Sequence, residues 1–192
     1  ELDEVIAISP ADGYESRLTA DGIRHLHWPV DATGVNLLAE LRSLRALHGL
    51  LKAAGPLVLL SYTPKGNIYG ALAAALRGIS VVPSVEGLGR VFIRQGGLSW
   101  LVQRLYKLAF SQAPRVFFLN NDDMDFFLER QLVAPERAER LHGFGVDVER
   151  FKPAAIQLPP DAARPLVFLM TARLLWDKGV GEFVAAARQI RQ

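Results

Sequence analysis

Residues 165–182 read PLVFLMTARLLWDKGVGE, and this stretch decides the fold class. The five apolar residues from Leu166 to Met170 predict a buried strand. Arg173 and Lys178 follow five positions apart, with Gly179 directly after the lysine. Glu182 then opens an amphipathic helical pattern. A strand that ends in a cationic turn and feeds a helix is how α/β proteins hold a diphosphate, because helix N-terminal amides and side-chain cations converge on the anion. Two solvated cations on a surface turn are the alternative that these residue types leave open.

Upstream, apolar runs alternate with helical patterns. Strands are predicted at 4–9, 23–30, 57–61, 79–84, 115–119 and 139–142, and helices at 14–21, 36–54, 67–77, 98–111 and 122–131. The second helix spaces Leu37, Leu38, Leu41, Leu44, Leu47, Leu50 and Leu51 three to four apart and stops at Gly55-Pro56. Strands and helices in alternation predict an α/β fold, a Rossmann-like parallel sheet with helices on both faces and right-handed crossovers. Pro153, Pro159, Pro160 and Pro165 mark a linker over 153–165. It separates a domain over 1–152 from the first strand and helix of a second Rossmann-like domain over 166–192.

The chain has 192 residues, half of them apolar and 22% charged, which is ordinary globular composition. Without cysteine, disulfides and thiolate chemistry are excluded, which fits the cytoplasm. No run reaches the roughly 18–20 apolar residues of a membrane span. A net charge of +2 argues against nucleic acid as a partner. The charge is nevertheless uneven: Arg90, Arg94, Arg104, Lys107 and Arg115 fall in an interval with no acidic residue, among Phe92, Trp100, Tyr106 and Phe110. Such a segment is either an ordinary core helix with a basic wet face or, over 90–110, a surface for an anionic membrane.

Three strand-end loops carry candidate binding groups. After the third strand come Tyr62, Lys65 and Asn67, where a cation, Gly66 and a capping Asn67 suit an anionic group. After the fourth, SVEGLG at 84–89 offers Glu86, Gly87 and Gly89, followed by Arg90. Glu86 either faces a ligand in the cleft or pairs with Arg90. After the sixth, Gly143 and Phe144 precede Asp147, an Asx-turn residue. Asp122 and Asp123 suit the start of a helix, with Asn121 or Asp122 as the cap, so no metal site is assigned there. The four histidines show no metal spacing, and no metal or cofactor is called for.

Three segments together carry a family likeness: the Arg173–Lys178 turn, GFGVDVERFKP at 143–153 and SYTPKGNIYGALAA at 61–74. The chain resembles glycosyltransferase family 4, retaining enzymes of the GT-B fold, in the branch that builds capsule, O-antigen and related surface polysaccharides. The likeness runs from about residue 5 to the end. It implies an acceptor-side domain lacking its first strand and helix, plus the opening of the donor-side domain. The expected donor is a nucleoside diphosphate sugar whose diphosphate contacts Arg173 and Lys178, and the loop of Gly143 and Phe144 is expected beside it, either as a structural turn or in direct contact with the donor. The expected acceptor is a lipid-linked saccharide at the inner face of the cytoplasmic membrane, with Glu86 either orienting one of its hydroxyls or paired with Arg90. A second domain of this kind carries a Glu-x7-Glu motif absent here, so the chain alone is expected to be inactive. Apolar residues 174–176, 183 and 184 would be left unpaired, which suggests a homodimer or packing on the first domain. The competing reading is a non-catalytic α/β module that binds an anionic ligand or a protein.

Overall fold

The computed structural model describes residues 4–31, 34, 36–88, 97–153 and 167–190. It divides into two compact units, Glu1–Val146 and Asp147–Gln192. In the first unit strands and helices alternate as expected: β1 Ile6–Ser9, α1 Glu15–Ala20, β2 Arg24–His27, α2 Leu37–Ala54, β3 Val58–Ser61, α3 Pro64–Ala75, β4 Ser80–Val85, α4 Gly97–Phe110, β5 Val116–Phe118, α5 Asn121–Glu129 and β6 Ala138–Arg140.

Every strand pairing among the described residues is parallel. Strands β3-β4-β5-β6 form one sheet in that order, with Val58 opposite Ser80, Ser84 opposite Phe117 and Val116 opposite Ala138. Parallel neighbours require crossovers, and α3, α4 and α5 supply them. Strands β1 and β2 pair separately, and among the described residues neither is hydrogen-bonded to β3. Strand β1 (IAIS) is apolar, whereas β2 (RHLH) has the polarity of an edge. Val58 and Leu60 of β3 remain exposed.

The core sits where α3, α4 and α5 meet the larger sheet. Phe127 of α5 is its hub: its ring lies 5.2 Å from Tyr106, 5.7 Å from Phe110 and 5.4 Å from Phe118. Aromatic pairs of this kind each contribute about 0.5–1.5 kcal/mol beyond the area they bury. Trp28, just after β2, donates its indole N–H to the Ser43 carbonyl of α2 at 2.9 Å and meets Tyr69 of α3 edge-on. Helix α2 is capped by Asn36, whose Oδ1 accepts from the amides of Leu38 and Ala39, and it ends at Gly55 with φ 58°. Its apolar face is narrower than the leucine spacing predicts: Leu47 and Leu51 are buried, but Leu37, Leu38 and Leu41 are exposed.

In the second unit Asp147 forms the expected Asx turn, its Oδ1 accepting from the amides of Glu149 and Arg150, each at 3.0 Å. Trp176–Lys178 is a single 3-10 turn, Gly179 follows with φ 76°, and α6 spans Val180–Ile190. The helix expected after the cationic turn is therefore present. The strand expected at 166–170 is not: residues 167–170 adopt no strand, and residue 166 lies outside the described residues. A strand satisfies its backbone groups only against a neighbouring strand, and this unit offers none among its described residues.

Candidate functional site

In an open parallel sheet, ligands bind outside the carboxyl ends of the strands. In the first unit those ends deliver Tyr62 and Thr63 after β3, Glu86–Leu88 after β4, Asn120 after β5 and residues 141–146 after β6.

The ends of β3 and β4 are tied through α3. Ser61 Oγ donates to Asn67 Oδ1 at 3.0 Å, and Asn67 Nδ2 donates to the Ser84 carbonyl at 2.8 Å. Asn67 is 1% exposed. This corrects its expected role as a helix cap. The helix begins three residues earlier, with Pro64 in its first turn, where a missing N–H is harmless. Asn67 thus lies inside α3 and faces the sheet. Gly70 lets α3 approach β3 closely, since a Cβ there would come within 3.2 Å of the Leu59 side chain. The residue at the cap position is Thr63, with φ 64° and ψ 157°. A β-branched residue is strained there, and such strain gathers at functional sites.

Lys65 is not left as a free anion-binding group. Its ammonium donates to the carbonyls of Asp31 (2.5 Å) and Gly34 (2.7 Å) and to Glu40 Oε1 (2.6 Å). An ammonium has three protons, and all three are used. The second Glu40 oxygen accepts from the Tyr69 hydroxyl at 2.6 Å. Burial first, then this bond and the Glu40 charge, hold the Tyr69 phenol well above its ordinary ionisation range. The Glu40–Lys65–Tyr69 cluster escaped the sequence reading. Its only signal was a charge pair split between two helices, and spacing does not link residues 25 positions apart.

Tyr62 and Phe144 are brought together, their ring centroids 5.8 Å apart at 69°. They come from opposite edges of the β3-β4-β5-β6 sheet, so the segment after β6 returns across the carboxyl ends of the strands. Gly143 (φ 94°) and Gly145 (φ 75°) flank Phe144 in the conformation that favours glycine. Glu86 is exposed on the neighbouring strand end, and Gly87 leaves open space beside its backbone. Gly89 and Arg90 lie outside the described residues, so the suggested Glu86–Arg90 pair does too. Asn120, not Asn121 or Asp122, caps α5: its Oδ1 accepts from the Asp123 amide at 2.7 Å and its Nδ2 donates back to Asp123 Oδ2. The cap is one residue earlier because the strand ends at Phe118 and Asn120 is still extended.

In the second unit Arg173 and Lys178 are both exposed, and neither forms an ion pair with a described side chain. Trp176 is 84% exposed. Its ring lies against Gly181, where a Cβ would come within 2.5 Å of it. On α4, Trp100, Leu101, Arg104, Lys107 and Leu108 share the outward face, and the Arg104 guanidinium sits 5.2 Å from the Trp100 ring. Arg115 is used differently, bonding the Glu136 carbonyl at 2.6 Å. Among the described residues, no helix is long and apolar enough to cross a membrane.

A family model described as "Glycosyl transferase 4-like domain" matches residues 3–143. A relative from Campylobacter jejuni, an N,N'-diacetylbacillosaminyl-diphospho-undecaprenol alpha-1,3-N-acetylgalactosaminyltransferase, is 29% identical over 204 aligned residues, covering 98% of this chain and 54% of its own. A second, from Escherichia coli, is a UDP-Gal:alpha-D-GlcNAc-diphosphoundecaprenol alpha-1,3-galactosyltransferase, 26% identical over 177 residues, 88% of this chain and 46% of its own. The chain thus spans about half the length of the curated relatives it matches. Among solved structures, UDP-N-acetylglucosamine 2-epimerase from Rickettsia bellii superposes with a TM-score of 0.50 at 12% identity, over 73% of this chain and 44% of its own. That likeness concerns the fold.

Proposed function

The chain belongs to the glycosyl transferase 4-like domain family, and from that premise we propose that it is the acceptor-side part of a retaining hexosyltransferase. The complete enzyme moves a sugar from a nucleoside diphosphate donor to a saccharide carried on a polyprenol diphosphate, in surface polysaccharide synthesis. The observation that carries this reading is that both curated relatives, aligned over 88–98% of this chain, are named for diphosphoundecaprenol-linked acceptors and α-1,3 transfer.

The residues take roles that suit the chemistry. As the bond from the anomeric carbon to the donor diphosphate breaks, negative charge grows on the departing nucleoside diphosphate. Arg173 and Lys178, exposed beside the start of α6, are suited to neutralise it. Glu86, exposed at a strand end, is suited to orient the acceptor hydroxyl that forms the new bond. The outward face of α4 combines an indole, two leucines and two cations without a carboxylate, which suits the headgroup region of an anionic membrane. That is where a polyprenol-linked acceptor is met, so the enzyme works at the inner face of the cytoplasmic membrane.

We further infer that one more parallel strand seats between β1 and β3. It would join the two sheets and cover Val58 and Leu60, whereas the polar β2 is suited to the outer edge. Residues 1–192 alone are inactive on this reading, because they span only about half the length of the curated relatives.

The test is a transfer assay with the complete gene product, UDP- and GDP-sugars and a sugar-diphosphoprenyl acceptor. The reading expects a disaccharide product with the anomeric configuration of the donor, and none from residues 1–192. An inverted product, or turnover by residues 1–192 alone, would refute the corresponding part.

A further inference from the structure

The Tyr62–Phe144 pair is used by nothing in the core. Tyr62 is 42% exposed and Phe144 59% exposed. Yet each ring sits beside unusual backbone. Tyr62 is followed by the strained Thr63, and Phe144 lies between two glycines of positive φ. No neighbouring atom approaches the Cβ positions of Gly143 and Gly145 within 4 Å, so crowding does not require glycine there. What requires it is the backbone turn that carries Phe144 back across the sheet to Tyr62. One strained residue, Thr63, and two conformationally permissive glycines therefore keep two aromatic rings in the open, at the end of the sheet where ligands bind.

We propose that Tyr62 and Phe144 form an aromatic platform on which the first sugar of the diphosphate-linked acceptor stacks through its C–H face. The inference rests on the transferase reading and deepens it. Rings set at 69° make a corner that a flat, amphipathic pyranose fits on one face. The hydroxyl rim then stays available to polar groups such as the phenol of Tyr62 and the carboxylate of Glu86, which leaves the adjacent strand. Both platform residues belong to the first unit, the acceptor side on the transferase reading. Stacking needs a ring face made of axial C–H bonds, so the platform accepts pyranoses that present such a face and discriminates against an acceptor lacking the sugar.

The test uses the complete gene product and two probes: N-acetylglucosamine α-linked to farnesyl diphosphate, and farnesyl diphosphate without the sugar. Affinities are read by titration calorimetry, and sugar–ring contact by saturation-transfer NMR from the aromatic protons. Both side chains are exposed, so substitution leaves the core intact, and circular dichroism checks this. Phe144→Leu and Tyr62→Leu keep apolar bulk but remove the ring. Each is expected to weaken the sugar-bearing probe about tenfold, the equivalent of roughly 1.4 kcal/mol, and to leave the sugar-free probe unchanged. Tyr62→Phe retains most of the affinity. Equal binding of the sugar-bearing probe by wild type and both leucine variants overturns the platform while leaving the transferase reading intact. Equal weakening of both probes means that the pair holds the lipid, which also overturns it. Failure of wild type to bind the sugar-bearing probe at all overturns the platform and counts against the transferase reading as well.

Discussion

Asn67→Ala removes a side chain that joins two strand ends. The native Asn67 accepts from Ser61 Oγ and donates to the Ser84 carbonyl, and all three residues are buried. Each lost bond costs about 1 kcal/mol net, and stranding a buried carbonyl adds about 1–3 kcal/mol. The two bonds and the stranded carbonyl together give an expected loss of about 3–5 kcal/mol. With a urea slope of about 2 kcal/mol per molar for a domain of this size, the midpoint falls by roughly 1.5–2.5 M without a change of slope. Unfolding is followed by near-ultraviolet dichroism, which reports the buried Tyr106 cluster. Ser61→Ala on the Asn67→Ala background should cost little more, because the hydroxyl has already lost its partner. Hydrogen exchange at the amides of 61–63 and 84–86 should quicken in parallel. A midpoint shift below about 0.3 M, or full additivity of the two substitutions, would refute the idea that this network fixes the site loops.

Other predictions follow from the same geometry. Thr63→Gly relieves a backbone conformation costing about 1–3 kcal/mol while adding about 0.5–1 kcal/mol of unfolded-chain entropy. A net gain of about 1 kcal/mol in a urea melt is expected, and a loss contradicts the strain. Tyr69 and Tyr106 are both held above the ordinary tyrosine value of about 10. Their contribution to stability is fully present below that pH and is lost as pH rises through the folded values. Tyr106 alone then steepens the decline by about 1.4 kcal/mol per pH unit, checked by urea midpoints from pH 9 to 12. Trp100→Glu with Leu101→Glu on the outward face of α4 should abolish sedimentation with vesicles containing phosphatidylglycerol and leave the melt unchanged. Equal binding by the variant contradicts the membrane role. Leu174, Trp176 and Val184 are exposed, so residues 1–192 are expected to self-associate. A monomer in sedimentation equilibrium at high concentration counts against this.

The alternation of strands and helices was legible because each element carries its own period, and the six strands of the first unit appear in their expected order. What lay beyond the sequence depends on neighbours. Asn67 looked like a cap, because its type and position suit one. Only the closeness of β3 and β4 turns it into a buried bridge. Lys65 looked like an anion ligand until Glu40 and two carbonyls of the β2–α2 connection surrounded it. The strand at 166–170 illustrates the converse limit: an apolar run supplies the propensity, but a strand forms only against a partner. The Tyr62–Phe144 contact was out of reach because it joins residues at opposite edges of the sheet. The paired glycines around Phe144 were visible, but not what they turn the chain toward.

The most direct test of the central claim is calorimetric titration of UDP, GDP and their sugar conjugates into the complete gene product, with R173A and K178A alongside. A charge-assisted contact to a diphosphate contributes about 1.5–3 kcal/mol, so each variant should weaken the preferred nucleotide by roughly ten- to a hundredfold. One nucleotide bound tightly by the native protein and weakly by both variants is the predicted result. Native-like binding by both variants, or no binding of either nucleotide to the folded protein, would contradict it.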